Sequence, residues 1–230
     1  MEDAIDAVKS GIFTLSDIEA ISAASQGEKG AAVSMLKAQF LSSEDISLKG
    51  RIASSLVRLG EKDESYWKFL VTQAIPAADN DAPFLLEVDQ NGSTNLAPGF
   101  LQWAADHNIS VDHAIELEAG LDPAAIDHLG YSRDERAVPI LRRALSSPNF
   151  YVEMAASRSL ANIHDSGSIP LITAACSKAP AWAATQIALP LVYFDDKDAQ
   201  RAVTLYVPNE RAVDARKARS EGITEYSTGP

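Results

Sequence analysis

The sequence has one cysteine, Cys176, so no intrachain disulfide can form. That residue lies in the apolar run "LITAACSKAP". This setting reads as core, because a reactive thiol needs a basic and partly exposed environment. No apolar run approaches the ~20 residues that a membrane span requires. Residues 1–15, "MEDAIDAVKSGIFTL", start acidic and lack the layout of an export signal. The expected location is therefore cytoplasmic, or extracytoplasmic if such a signal preceded Met1. Positive charge is scarce as well: 20 Lys and Arg face 32 Asp and Glu, for a net charge of −12. A chain of that sign repels phosphate backbones and anionic lipid, which disfavours nucleic acid as a partner. Gly-x-Ser-x-Gly, P-loop and dinucleotide fingerprints are all missing, which removes the common motif-borne reactions.

What the chain does have is alanine, often in pairs such as Ala155-Ala156, Ala174-Ala175 and Ala183-Ala184. Alanine has the highest helix propensity and lets helices approach closely, so these faces predict packed helices. In "DERAVPILRRAL", Ala137, Ile140, Leu141, Ala144 and Leu145 share one helical face, and Asp134 is placed to cap it. "SSPN" at 146–149 ends that helix, because a residue before proline avoids helical dihedrals. The next helix, about 150–163, aligns Val152, Ala156, Leu160 and Ile163 on one stripe. "HDSGS" then turns the chain into another helix beginning "IPLITAAC".

Fixed offsets connect these segments. A shift of 31 brings Asp134 onto Asp165, Pro139 onto Pro170 and Ala144 onto Ala175. A shift of 65 brings Arg136-Ala137-Val138 onto Arg201-Ala202-Val203. A shift of 104 aligns "SSEDISLKGRIASSLVRLGEKD" (42–63) with "SSPNFYVEMAASRSLANIHDSG" (146–167) without gaps. Such self-similarity predicts stacked helical pairs of about 31 to 35 residues each. The stretch from Asp134 to Ile172 resembles the short HEAT-like repeats of phycobilisome-lyase-like proteins, and the whole chain resembles uncharacterised bacterial HEAT-repeat proteins. The short-repeat resemblance covers 134–177 and 28–60 well and 197–207 in part. It departs from the family where the second helix often opens Val-Arg, since Val152 is followed by Glu153 and Leu48 by Lys49.

The middle of the chain is less regular. "DESYWKFLVTQAI" (63–75) predicts a helix with Trp67, Leu70, Val71 and Ala74 inward. Residues 76–97, rich in Asp, Asn, Pro and Gly, predict an irregular insertion with a turn at Asn91-Gly92. Three short helices follow, with Pro98, Ser110 and Asp122-Pro123 at their starts. Ser16 with Glu19 reads as a capping box. "NERAVDARKARSEG" predicts a polar helix that closes the array, ahead of a frayed tail.

Candidates for chemistry are few. His113 and Glu116 lie one helical turn apart near His107, but zinc-site spacing is absent. Asp195-Asp196 occupies a helix-capping position. Arg211, Arg216, Lys217 and Arg219 suit the end of a terminal helix. Trp67, Phe69, Phe84, Phe100, Trp103 and Tyr131 gather in or beside the irregular middle and read as core.

The expected fold is all-α: a right-handed α-solenoid of the armadillo type, one domain over 1–222 with a flexible tail at 223–230. The expected function is a non-enzymatic scaffold for a protein or peptide partner, with no cofactor and no metal. The HEAT resemblance implies that the second helix of each pair lines the concave side. The predicted contacts are the polar residues of those helices: Lys49, Arg51, Arg58, Glu153, Arg158 and Asn162. The alternative is a phycobilisome-lyase-like, small-ligand or metal enzyme using the 84–131 region.

Overall fold

The computed structural model describes residues 2–88 and 90–221, and the tail expected at 223–230 lies outside the described residues. These residues form fourteen α-helices and one small hairpin. The helices pack in pairs, and the pairs stack into an all-α helical repeat solenoid. The first pair is α1 (Glu2–Ser10) with α2 (Leu15–Ser22), and the second is α3 (Gln26–Ser42) with α4 (Ile46–Arg58). The third joins α5 (Glu64–Asp79) to α8 (Ala124–Tyr131), with the hairpin, α6 (Pro98–Asp106) and α7 (Val111–Ala119) between them in sequence. Then come α9 (Val138–Ala144) with α10 (Phe150–Asn162), α11 (Ile169–Lys178) with α12 (Ala181–Ala188), and α13 (Lys197–Tyr206) with α14 (Asn209–Ser220).

From the second pair on, the second helices form a continuous row in which α4 packs on α8, α8 on α10 and α10 on α12. One hydrophobic core runs through all six pairs, from Ala4 to Ala212. It is built mainly of Ala, Ile, Leu and Val, and the small side chains let neighbouring helices close up. α8 and α10 approach closely, where a Cβ at Gly130 would lie 2.3 Å from the Ser159 Cβ. A Cβ at Gly50 would lie 2.2 Å from Nδ1 of the buried His128, so α4 is held against α8 in the same way.

The caps show the period. Asp134 accepts from the Arg136 backbone N–H at the start of a 3-10 turn, and Asp196 accepts from the Asp198 and Ala199 N–H groups at the start of α13. They lie 62 residues apart, twice 31, with Asp165 midway at the head of the 3-10 turn before α11. Leu141, Ile172 and Val203 follow at the same spacing, and all three are fully buried. The offset of 65 inferred from the Arg-Ala-Val match is thus corrected to 62. Arg136-Ala137-Val138 opens its repeat, whereas Arg201-Ala202-Val203 lies within α13. The offset of 104 superposes α4 on α10 end to end, with Asp45 and Asn149 as their caps.

The interruption expected over 76–97 is longer and starts later. Pro76 sits inside α5, which continues to Asp79, and α6 and α7 belong to the interruption rather than to the stack. Asp63 caps α5 and Asp134 precedes α9, 71 residues apart, which is one 31-residue period plus 40 inserted residues. The insertion has a core of its own, Phe100, Ala104 and Ala114, flanked by Trp103 and Ile115. Its hairpin pairs β1 (Leu86–Val88) with β2 (Thr94–Leu96) in antiparallel register, Leu86 opposite Leu96. Gly92 takes φ +79° in the connecting turn, a conformation that L side chains rarely adopt. At the N-terminus the capping box is formed by Thr14 and Asp17 rather than Ser16 and Glu19.

Candidate functional site

Four of the six residues expected to face a partner are largely buried, and three of them, Arg58, Arg158 and Asn162, are built into the stack. Ten of the thirteen residues of α10 are buried, because α8 and α12 flank it on both sides and α9 covers a third. Asn162 is 2% exposed and Glu153 is 6% exposed. Arg158 makes a two-pronged ion pair with Asp127, one repeat earlier on α8, at 3.1 Å from Nε to Oδ1 and 2.8 Å from Nη2 to Oδ2. Burial pushes the Asp127 carboxyl up, and hydrogen bonding and charge from Arg158 oppose that shift. Arg58, its side chain 7% exposed, donates to Glu19 at 2.8 Å and to the Tyr131 carbonyl at 3.4 Å. Lys49 and Arg51 keep partial exposure, but each lies over an aromatic ring: Lys49 over Phe40 at 5.7 Å and Arg51 over Phe13 at 5.5 Å. The expectation of a polar, solvent-facing half on α10 fails because both of its flanks are occupied.

The open edge of the row lies at the N-terminal ends of α10 and α12. Tyr151 and Trp182 occupy equivalent positions one 31-residue period apart and are 50% and 47% exposed. The insertion sends Phe84 onto them, with ring centroids 5.4 Å from Tyr151 and 6.0 Å from both Phe150 and Trp182. Phe150 meets Trp182 edge-on at 6.0 Å, completing a four-ring cluster. Glu118 of α7 anchors the insertion beside it. It accepts from Asn80, which caps the C-terminus of α5, at 2.9 Å, and from Asn149, which caps the N-terminus of α10. Next to the cluster lies a pocket of about 350 Å³ between the α9–α10 turn and α11, lined by Ser146, Ser147, Phe150, Glu153, Leu171 and Lys178 among others.

Residues 121–190 match the family model for HEAT repeats. Neither a curated protein nor a solved structure matches the chain. The matched span runs from just before α8 to just after α12, and so includes the three second helices that carry the Arg158–Asp127 pair and the aromatic edge. HEAT repeats commonly serve as scaffolds for protein interactions.

The remaining candidates fall outside any converged site. In the insertion, His113 Nδ1 lies 3.6 Å from Glu116 Oε2, both largely in solvent. His107 stacks on Trp103 and faces Asp81 at 3.4 Å. Among the described residues no group of three or more His, Cys, Asp or Glu side chains is placed to hold a metal ion. Asp195 pairs with Arg219 at 2.8 Å while Asp196 caps α13. Cys176 is buried, and that burial pushes its thiol up to about 12. Among the described residues no helix is long and apolar enough to cross a membrane. The aromatic edge was missed in the sequence because Tyr151, Trp182 and Phe84 are distant in the chain. The 31-residue spacing of Tyr151 and Trp182 was the available signal.

Proposed function

We propose that the chain is a non-enzymatic scaffold that docks a polypeptide partner on the aromatic edge of Phe84, Phe150, Tyr151 and Trp182. The observation that carries this reading is the pair of half-exposed rings at equivalent repeat positions, ordered by a third ring from the insertion. Large amphipathic rings held in place bind with little loss of side-chain freedom and form typical anchor points of protein interfaces. A row of stacked second helices adds a broad, rigid platform around them. The net charge of −12 favours a basic or neutral partner over nucleic acid. An enzyme in 84–131 is less well supported, since that region is a hairpin and two short helices around a three-residue core, followed by α8 of the stack, and His107 and His113 face different acids.

The test is affinity capture from lysate of the source cells with the wild-type chain, a Tyr151→Ala/Trp182→Ala double variant, and Arg201→Ala as an exposed control on α13. The expected result is a protein held by the wild type and by Arg201→Ala but lost from the double variant. Equal retention by all three would overturn the reading.

A further inference from the structure

We propose that the pocket beside the aromatic edge receives a lysine or arginine side chain of the partner polypeptide, with Glu153 as its counter-ion. This rests on the scaffold reading above and names the chemistry of the partner. The pocket is about 350 Å³, at the lower end of the roughly 300–1,000 Å³ common for ligand sites. Glu153 lines it, is almost wholly buried, and its Oε2 has no hydrogen-bond partner. A buried carboxylate oxygen left unpaired is costly and awaits a donor or a cation.

The repeat itself does not require an acid here. One period later the same position is the buried Ala184, one period earlier it is Asp122 just before α8, and 104 residues earlier it is Lys49. Packing is therefore satisfied without a carboxyl, and Glu153 adds a function to the position rather than a contact to the core. The other walls suit a long cationic side chain. Leu171 and Ala174 offer apolar surface to an aliphatic stem, and the Phe150 ring can face a cation. Phe150 also belongs to the aromatic edge, so a chain docked on Tyr151 and Trp182 passes the mouth of the pocket.

An anion is the wrong guest beside an unpaired carboxyl, and the net charge of −12 draws cations toward the molecule. Two titratable groups of α11 face Glu153. Lys178 lines the pocket and favours ionisation, and the Cys176 thiol stays neutral. Lys178 is exposed, so an incoming ammonium displaces it into solvent. Burial pushes the Glu153 carboxyl up to about 7. A bound cation pulls it back down.

The experiment follows the Glu153 carboxyl by carbon NMR in the full chain, with Nα-acetyl-lysine methylamide and its norleucine analogue as probes. The lysine probe is expected to lower the Glu153 midpoint by about one pH unit, the shift that a tenfold preference for the ionised carboxyl produces, while the norleucine probe leaves it in place. Glu153→Gln is expected to weaken binding of the lysine probe about tenfold, and Lys178→Gln to strengthen it. An unchanged midpoint, an equal shift with norleucine, or unchanged binding to Glu153→Gln would overturn the proposal. If a captured partner is lost from the Tyr151→Ala/Trp182→Ala variant but binds Glu153→Gln fully, the scaffold stands and the pocket assignment falls. If the lysine probe binds through Glu153 while no partner depends on the rings, the pocket stands and the docking edge falls.

Discussion

Gly130 and Ser159 meet where α8 packs on α10, and a Cβ at position 130 would lie 2.5 Å from the Ser159 Cα as well as against its side chain. Backbone cannot give way as a side-chain tip does, so Gly130→Ala should destabilise the array by about 1–3 kcal/mol in urea unfolding. Gly27, with nothing within 4 Å of a built Cβ, is the matched control, and Gly27→Ala should be neutral or mildly stabilising. Glu153 makes a pH-dependent prediction. Its carboxyl stands at about 7 in the fold against 4.5 as a free side chain, so the folded state holds the proton more tightly. Its unfavourable contribution is absent below the unfolded value, grows as pH rises from 4.5 to about 7, and is complete above that. Glu153→Gln should thus gain up to about 3 kcal/mol over the wild type at pH 8, with the gain vanishing near the free carboxyl value. A constant difference across that range would contradict the assignment. His128 has the opposite sign: burial lowers its pKa from 6.5 to about 4, so stability is lost as pH falls through that window.

At the scale of elements, Arg158 separates two accounts of α10. If it served a partner, its removal would leave the free chain intact. Placed against Asp127 with both side chains mostly buried, Arg158→Ala should instead cost about 3–5 kcal/mol in urea unfolding, since it strands a buried carboxylate. The insertion makes a second test. Glu118 is partly buried, its carboxyl pushed up by that burial and pulled back by Asn80 and Asn149. Glu118→Ala should leave the stack folded but release residues 80–123, seen as faster proteolysis there with little change in the main unfolding transition. The helices themselves were legible in the sequence because periodic apolar positions and capping residues are local signals. Ser110, Asp134 and Asp196 all cap where the pattern places them. The membership of α6 and α7 was not legible. They read as short capped helices like those of the array, and only the contact of α5 with α8 shows that the stack closes behind them. Likewise Pro76 marked a break in the sequence but lies within α5, where tertiary packing of Ala74, Ala77 and Ala78 holds the helix together.

At the scale of the molecule, the repeat could be read from the chain because each tile contributes its buried residues at the same spacing, as Leu141, Ile172 and Val203 do. The recognition surface could not be read that way. A polar residue on a second helix can face solvent, like part of Lys49, or a neighbouring repeat, like Arg158 and Asn162, and sequence spacing does not distinguish them. The exposed rings at Tyr151 and Trp182 gained their meaning only when the insertion placed Phe84 against both. The central claim is that the partner binds along that edge rather than along α4 and the buried side of α10. Hydrogen exchange of the full chain with and without its captured partner tests this most directly. The account predicts new protection confined to peptides covering residues 80–88, 146–153 and 171–182. Protection centred on residues 46–58, with none at the aromatic edge, would contradict it.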